Sequence, residues 1–135
     1  MFTNTTVTLY NAYFDTINRN TIYKRTVLTS VHWEGIEARS RGGNYVENAD
    51  SVKVSIPFSV SSDSIFVKPK AFKNLEDKTG YFTLKSDDKI VKGTIPDSVD
   101  FKDLEENYDD VVSITSVDTA YYGSSHMQHW ELNCK

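Results

Sequence analysis

The stretch "SVKVSIPFSV", residues 51–60, restricts the possible fold more than any other part of the chain. Val52, Val54, Ile56, Phe58 and Val60 share one face of an extended strand, and Ser51, Lys53, Ser55, Pro57 and Ser59 share the other. Such alternation is what a sheet needs when one face is buried and the other is wet. Pro57 has no N–H to give to a ladder, so this strand is expected at a sheet edge, or edge-like at that residue. An open edge is where another chain adds on, which makes Pro57 a candidate interface residue.

Further strands are expected along most of the sequence. "TVTLYNAYF" (Thr6–Phe14) is rich in β-branched and aromatic residues, and "TIYKRTVLTSVHW" (Thr21–Trp33) sets Tyr23, Val27, Val31 and Trp33 on one side. Arg25 and Thr29 interrupt that side. "SIFVKPKAF" (Ser64–Phe72), "GYFTL" (Gly80–Leu84), "DKIVKGTI" (Asp88–Ile95) and "VVSITSVDTAYY" (Val111–Tyr122) continue the series. Turn chemistry at Asn18–Asn20, Ser61–Asp63, Ser86–Asp88 and Pro96–Asp97 separates them. The expected fold is mainly β, a small barrel or sandwich in one domain over 1–135; the pattern does not choose between the two.

One segment changes period. In "DFKDLEENYDD", Phe101, Leu104 and Tyr108 recur at helical spacing, which predicts a short helix near 100–109 with Asp100 as its cap. The acidic residues Asp103, Glu105, Glu106, Asp109 and Asp110 then cover the outer faces. The longest stretch without a pattern is Gly35–Asp50, a projecting loop that holds Arg39, Arg41 and the Gly42–Gly43 pair. Loops this long in a small domain are usually functional or disordered.

With 135 residues, the chain has room for one modest core, and an aromatic content of 13% compensates for only 39% hydrophobic residues. A net charge of −4 and the lack of a sustained basic run argue against gripping nucleic acid through its phosphates. The N-terminus lacks the basic and apolar regions of a secretory leader, so manufacture and assembly in a cytoplasm are expected, with no membrane partner. No apolar run approaches membrane-spanning length.

Metal and catalytic chemistry concentrate in the tail "YYGSSHMQHWELNCK", Tyr121–Lys135. His126 and His129 are three apart, and on a strand such side chains face opposite ways, which is wrong for chelation. A zinc site would need His32 and Cys134 as well, so no metal and no cofactor are expected. The sole cysteine rules out an internal disulfide. Ser124 and Ser125 beside His126 do not make a triad, and no nucleophile elbow or phosphate loop is present. An enzyme is not expected. Met127, His129 and Trp130 suit packing at the end of the last strand, against the barrel or a neighbour.

Through "TVTLYNAY", "IYKRTVLTSVHW", "ADSVKVSIPF", "FVKPKAF", "DKIVKGTI" and "YDDVVSITSVDTAYYGSSHMQHWEL", the chain resembles a family of small proteins encoded in phages and prophages of Gram-positive bacteria. The resemblance covers most of the chain in order and is strongest in "GSSHMQHWEL". It implies a structural protein of the virion neck, similar to head–tail connectors of the stopper type. Those are small β-barrels set in a ring around the DNA channel, with a long early loop that closes the channel until ejection. Carried over to this chain, the loop residues are Arg39, Ser40, Arg41, Gly42, Gly43, Asn44 and Tyr45. The candidate contacts with a neighbouring subunit are Pro57, Tyr121, Tyr122, His126, Met127, His129 and Trp130. The implied partners are further copies of the chain in a ring of six or twelve, a portal or adaptor protein, a tail completion or tail tube protein, and packaged DNA in passing. A tail terminator or a minor capsid protein is the alternative; a metal-binding protein or an enzyme comes after both.

Overall fold

The alternating stretch at 51–60 supplies one stave of a closed barrel. A computed structural model describes residues 5–36, 51–60, 62, 64–120 and 128–135. Six strands form the wall: β1 (Thr5–Asp15), β2 (Asn20–Ile36), β3 (Ser51–Pro57), β6 (Lys89–Lys92), β7 (Val111–Ala120) and β8 (His129–Cys134). They close in the order β1-β2-β3-β8-β7-β6, and every neighbouring pair is antiparallel. The mainly β expectation therefore holds, and the choice falls to the barrel. Between β3 and β6 the chain makes β4 (Ile65–Phe66), α1 (Pro69–Asn74) and β5 (Tyr81–Phe82), with β4 and β5 paired in parallel.

The barrel interior is a single apolar cluster that includes Val7, Leu9, Leu28, Val31, Val54, Ile56, Ile90, Ile114 and Leu132. Phe82 and Leu84, from outside the wall, join it. On the outer side of β1, Tyr10 packs with Val91, Ile95 and Leu104 in a second, smaller cluster. The segment after β6 is bound to the wall there: Thr8 Oγ1 donates to Gly93 O at 2.8 Å and accepts from Ile95 N at 3.0 Å. Arg25 Nε donates to Ile95 O at 2.7 Å, and its guanidinium also pairs with Asp97 at 3.0 Å. The expected short helix lies in this segment, as a 3₁₀ turn (Phe101–Asp103) running into α2 (Leu104–Asn107). Asp100 flanks it without a side-chain cap; Asp103 N instead donates to the Asp100 backbone carbonyl at 3.0 Å.

Three sequence expectations change here, each for a physical reason. First, the face of β2 is out of phase with the prediction. Thr26 and Leu28 are buried before Ser30, and Val31 is buried after it. The register jumps because Thr5 pairs with Val31 but Val7 pairs with Leu28, which leaves one extra residue on β2. Ser30, at φ 60°, takes up the bulge in the left-handed region. Tyr23 consequently lies on the outer surface, stacked on Phe101 at 3.5 Å between ring centroids. A second bulge, at Thr115 in β7, reverses phase between Ile114 and Val117.

Second, only Ile65–Phe66 of the predicted Ser64–Phe72 strand is paired as a strand, and Pro69 opens α1. Proline forces the preceding Lys68 into extended backbone (φ −65°, ψ 155°) and suits the first helical position, where no N–H is needed. Third, β3 is not an edge strand, since it lies between β2 and β8. Its pairing with β2 ends at Ser55, however, and Pro57 pairs only with His129 of β8 among the described residues. The strand is edge-like at the proline alone, where the missing N–H costs no ladder bond.

Candidate functional site

Of the residues singled out from the sequence, the loop set Arg39, Ser40, Arg41, Gly42, Gly43, Asn44 and Tyr45 lies outside the described residues, as do Tyr121, Tyr122, His126 and Met127. The loop's position in the topology is nevertheless defined: residues 37–50 join β2 to β3. Pro57, His129 and Trp130 are described, and they come together at the end of the β3–β8 pair. Trp130 is 9% exposed and tilts against Phe58 at 4.6 Å and Phe66 at 4.3 Å, with Phe66 edge-on to Phe82 at 5.7 Å. This aromatic layer ties β8 to the segment following β3. Trp130 therefore faces its own barrel.

Among the tail's described residues, Cys134 and His129 have ordinary surroundings. Trp130, Leu132 and Cys134 alternate inward along β8. Burial pushes the Cys134 thiol up to about 12, so it is a small core side chain and not a thiolate. His129 Nε2 is 3.9 Å from Glu131, whose carboxylate also meets Lys53 at 2.6 Å. Among the described residues, no group of three or more His, Cys, Asp or Glu side chains is placed to hold a metal ion.

Sequence reasoning missed two features beside the β1–β2 hairpin. The first is a buried polar knot. Asp88 has a fully buried carboxylate that accepts from Asn11 Nδ2 at 2.7 Å and Ala12 N at 3.0 Å, and it pairs with the Lys85 ammonium. Asn11 is itself fully buried; its Nδ2 also donates to Thr83 O at 2.8 Å, and its Oδ1 accepts from Thr83 N at 3.1 Å. Desolvation raises the Asp88 carboxyl above its ordinary range, against the opposing pull of Lys85, Ala12 and Asn11. In the sequence, Asp88 looks like a turn residue, and only its spatial neighbours reveal the knot.

The second is a groove of about 440 Å³ lined by Ala12, Tyr13, Phe14, Thr16, Pro69, Lys70, Phe72, Lys73, Lys78 and Lys85. Its floor is aromatic: Tyr13 and Phe72 meet edge-to-face at 6.0 Å, with Lys78 Nζ 4.7 Å from the Tyr13 ring centroid. Its lysines come from three separate stretches, so no basic run marks it in the sequence. The segment that carries α2, packed on Tyr10 and Tyr23, is acidic, with Asp97, Asp100, Glu105, Glu106, Asp109 and Asp110 all exposed.

No helix among the described residues is long and apolar enough to cross a membrane. No curated protein and no solved structure matches the chain. A family model described as a family of unknown function, DUF6751, matches residues 2–135. By that match, which runs nearly end to end, the chain belongs to the DUF6751 family.

Proposed function

We propose that the chain is a structural subunit of a phage virion neck, a head–tail connector of the stopper type that repeats as a ring between the portal side and the tail. The observation that carries this reading is the closed six-stranded antiparallel barrel whose β2–β3 connection is the long early segment 37–50. The sequence resemblance implies a small barrel with a long loop at that place in the chain. A fold alone hosts many functions, so the weight rests on the barrel and the resemblance together.

The barrel suits repetition. Closure leaves no long unpaired strand edge to aggregate on, so neighbours meet through side faces and loops. A contact between two different faces of the subunit closes into a ring when its rotation allows, and many modest contacts then sum to a stable assembly. A chain of net charge −4 would also leave DNA free to slide through such a ring.

A density map of the virion neck tests this reading. The expected result is a ring of these barrels between portal and tail; a neck built without this chain would overturn the proposal. Deleting Ser40–Asn48 tests the loop separately. Particles should still assemble the ring but lose DNA before the tail joins, and DNA retention equal to that of the parent would remove the channel-closing role. Stoichiometric zinc in the purified protein, lost on replacing His126 and His129, would favour a metal-binding protein instead.

A further inference from the structure

The groove beside the hairpin lies along an open strand edge. β1 runs to Asp15, and its pairing with β2 continues to the end, with Asp15 opposite Asn20. On its other side, the pairing with β6 covers only Val7–Tyr10. Even-numbered residues of β1 turn their backbone groups to that second side: Gly93 N donates to Thr6 O at 2.8 Å, and Ala12 N donates to the Asp88 carboxylate. The Asp88 side chain therefore ends the ladder by capping one N–H. By the same alternation, the Ala12 carbonyl and both backbone groups of Phe14 belong to the side beyond the end of β6, and both residues line the groove.

The side chains around this edge have a consistent chemistry. Phe14 is 60% exposed and Ile17 at the hairpin tip is 89% exposed, although both are large and apolar. Tyr13, Phe72 and Pro69 supply an apolar floor. Lys85 is engaged by Asp88, and Lys78 donates to Leu75 O at 2.9 Å. Lys70 and Lys73 are exposed and form no ion pair among the described residues. Among those residues, no acidic side chain lines the groove. Three carboxylates lie close by: Asp88 pairs with Lys85, and Asp15 and Asp77 are held in their own turns, Asp15 accepting from Ile17 N at 3.0 Å and Asp77 from Thr79 N at 2.9 Å. A patch of four lysines in a chain of net charge −4 is a local inversion of sign.

We propose that this groove is a docking site for an extended acidic segment of a partner protein, which adds as a strand to the open edge of β1 at Ala12–Phe14. Main-chain bonds to the edge hold such a segment in register. An apolar side chain then packs beside Tyr13 and the exposed Phe14, and flanking carboxylates meet Lys70 and Lys73. The acidic segment of a second copy fits less well, because the helical turns Phe101–Asn107 interrupt it and cannot pair with a strand edge. The proposal uses only the groove and stands whether or not the chain is a neck protein.

The probe is a fluorescent seven-residue peptide that alternates glutamate with valine and phenylalanine, titrated into the full chain by anisotropy and by amide chemical shifts. The expected result is saturable, salt-sensitive binding, with shifts centred on Phe14 and Lys73. The doubly substituted Lys70→Glu/Lys73→Glu protein should bind about tenfold more weakly or worse, while Lys70→Arg/Lys73→Arg should retain binding. The same peptide with alternate amides N-methylated should fail, since it cannot complete the ladder. Both lysines are exposed, so matching thermal unfolding of the variants would show that the fold is intact. No binding by about 1 mM peptide, or equal binding by the Lys→Glu protein, overturns the proposal. Self-association of the unliganded chain that disappears in the Lys→Glu variant also overturns it, by identifying a second copy as the occupant.

Discussion

Replacing Asp88 with alanine should destabilise the barrel strongly. Its carboxylate is fully buried and accepts from the Asn11 amide, the Ala12 N–H and the Lys85 ammonium. Asp88→Ala leaves two buried donors unsatisfied, at about 1–3 kcal/mol each. Lys85 also loses its anion, but its side chain is 31% exposed, so solvent screens that loss. The expected total is about 3–5 kcal/mol, the range for removing one partner of a buried pair. Asp88→Asn keeps the shape and an acceptor for Ala12 N–H but sets one amide NH₂ against another at Asn11. It should cost less, about 1–3 kcal/mol. Urea titrations followed by tryptophan fluorescence give both values, with Trp130 reporting from within the core cluster.

Acidity separates this carboxylate from the others. Burial raises its folded pKa above the ordinary 3.8, so the native state binds the extra proton between those two values. The stabilising contribution of that proton is fully present below the ordinary value and is lost as pH rises through the folded one. Wild-type stability minus Asp88→Asn stability should therefore fall with rising pH across that window. A difference that rises with pH, or an Asp88→Ala protein within about 1 kcal/mol of wild type, would refute this account of the knot.

Three further outcomes follow from the barrel. Ser30 holds the β2 bulge at φ 60°, so in the same urea assay Ser30→Gly should match or exceed the wild type in stability, and Ser30→Val should fall about 1–2 kcal/mol below it; a Ser30→Val protein as stable as wild type would place the strain elsewhere. Cys134, buried and with its thiol pushed up to about 12, should resist an aromatic disulfide reagent at pH 8 and react at once in guanidinium, so rapid reaction of the native protein would contradict its place in the core. Trp130→Ala should cost about 3–5 kcal/mol through loss of the Phe58–Trp130–Phe66 layer. A loss confined to ring assembly, with unfolding unchanged, would instead make Trp130 a subunit contact.

What is legible in the sequence is whatever obeys a simple period. β3 alternates without interruption in sequence, and β1 is marked by its β-branched and aromatic residues, so both can be read nearly to their ends. β2 and β7 also show themselves as strands, but each contains a bulge, and one extra residue turns every later side chain to the other face. That is why Tyr23 and Val27 read as sharing a side with Val31. β8 spans six residues with only Trp130, Leu132 and Cys134 as its apolar set, and a cysteine beside two histidines is more easily taken for chemistry than for core. For α1 the signal is present: Pro69 after a lysine marks a helix start, but "FVKPKAF" has the composition of a strand. Asn11, Thr83 and Asp88 carry no mark of burial at all, because polar residues reach the interior only as a set whose members are distant in sequence.

Net charge shows the same gap between a sum and an arrangement. The value of −4 argues against a protein that clamps a polyanion, and this holds for the chain as a whole. Around one hairpin, however, the fold sorts the charges into patches. Lysines from α1, from residue 78 and from residue 85 converge on the groove, while the acidic residues from Asp97 to Asp110 lie along a separate segment, held there by Arg25 and by the Phe101–Tyr23 stack. The screening length at physiological salt is about 8 Å, so a ligand in the groove responds to its near charges, Lys70, Lys73 and Lys78 against Asp15 and Asp77 and the Lys85–Asp88 pair, more than to the total. A barrel built for passive repetition does not require that sorting. A search for partner surfaces should therefore begin with these two patches beside the β1–β2 hairpin, before the histidine-bearing tail.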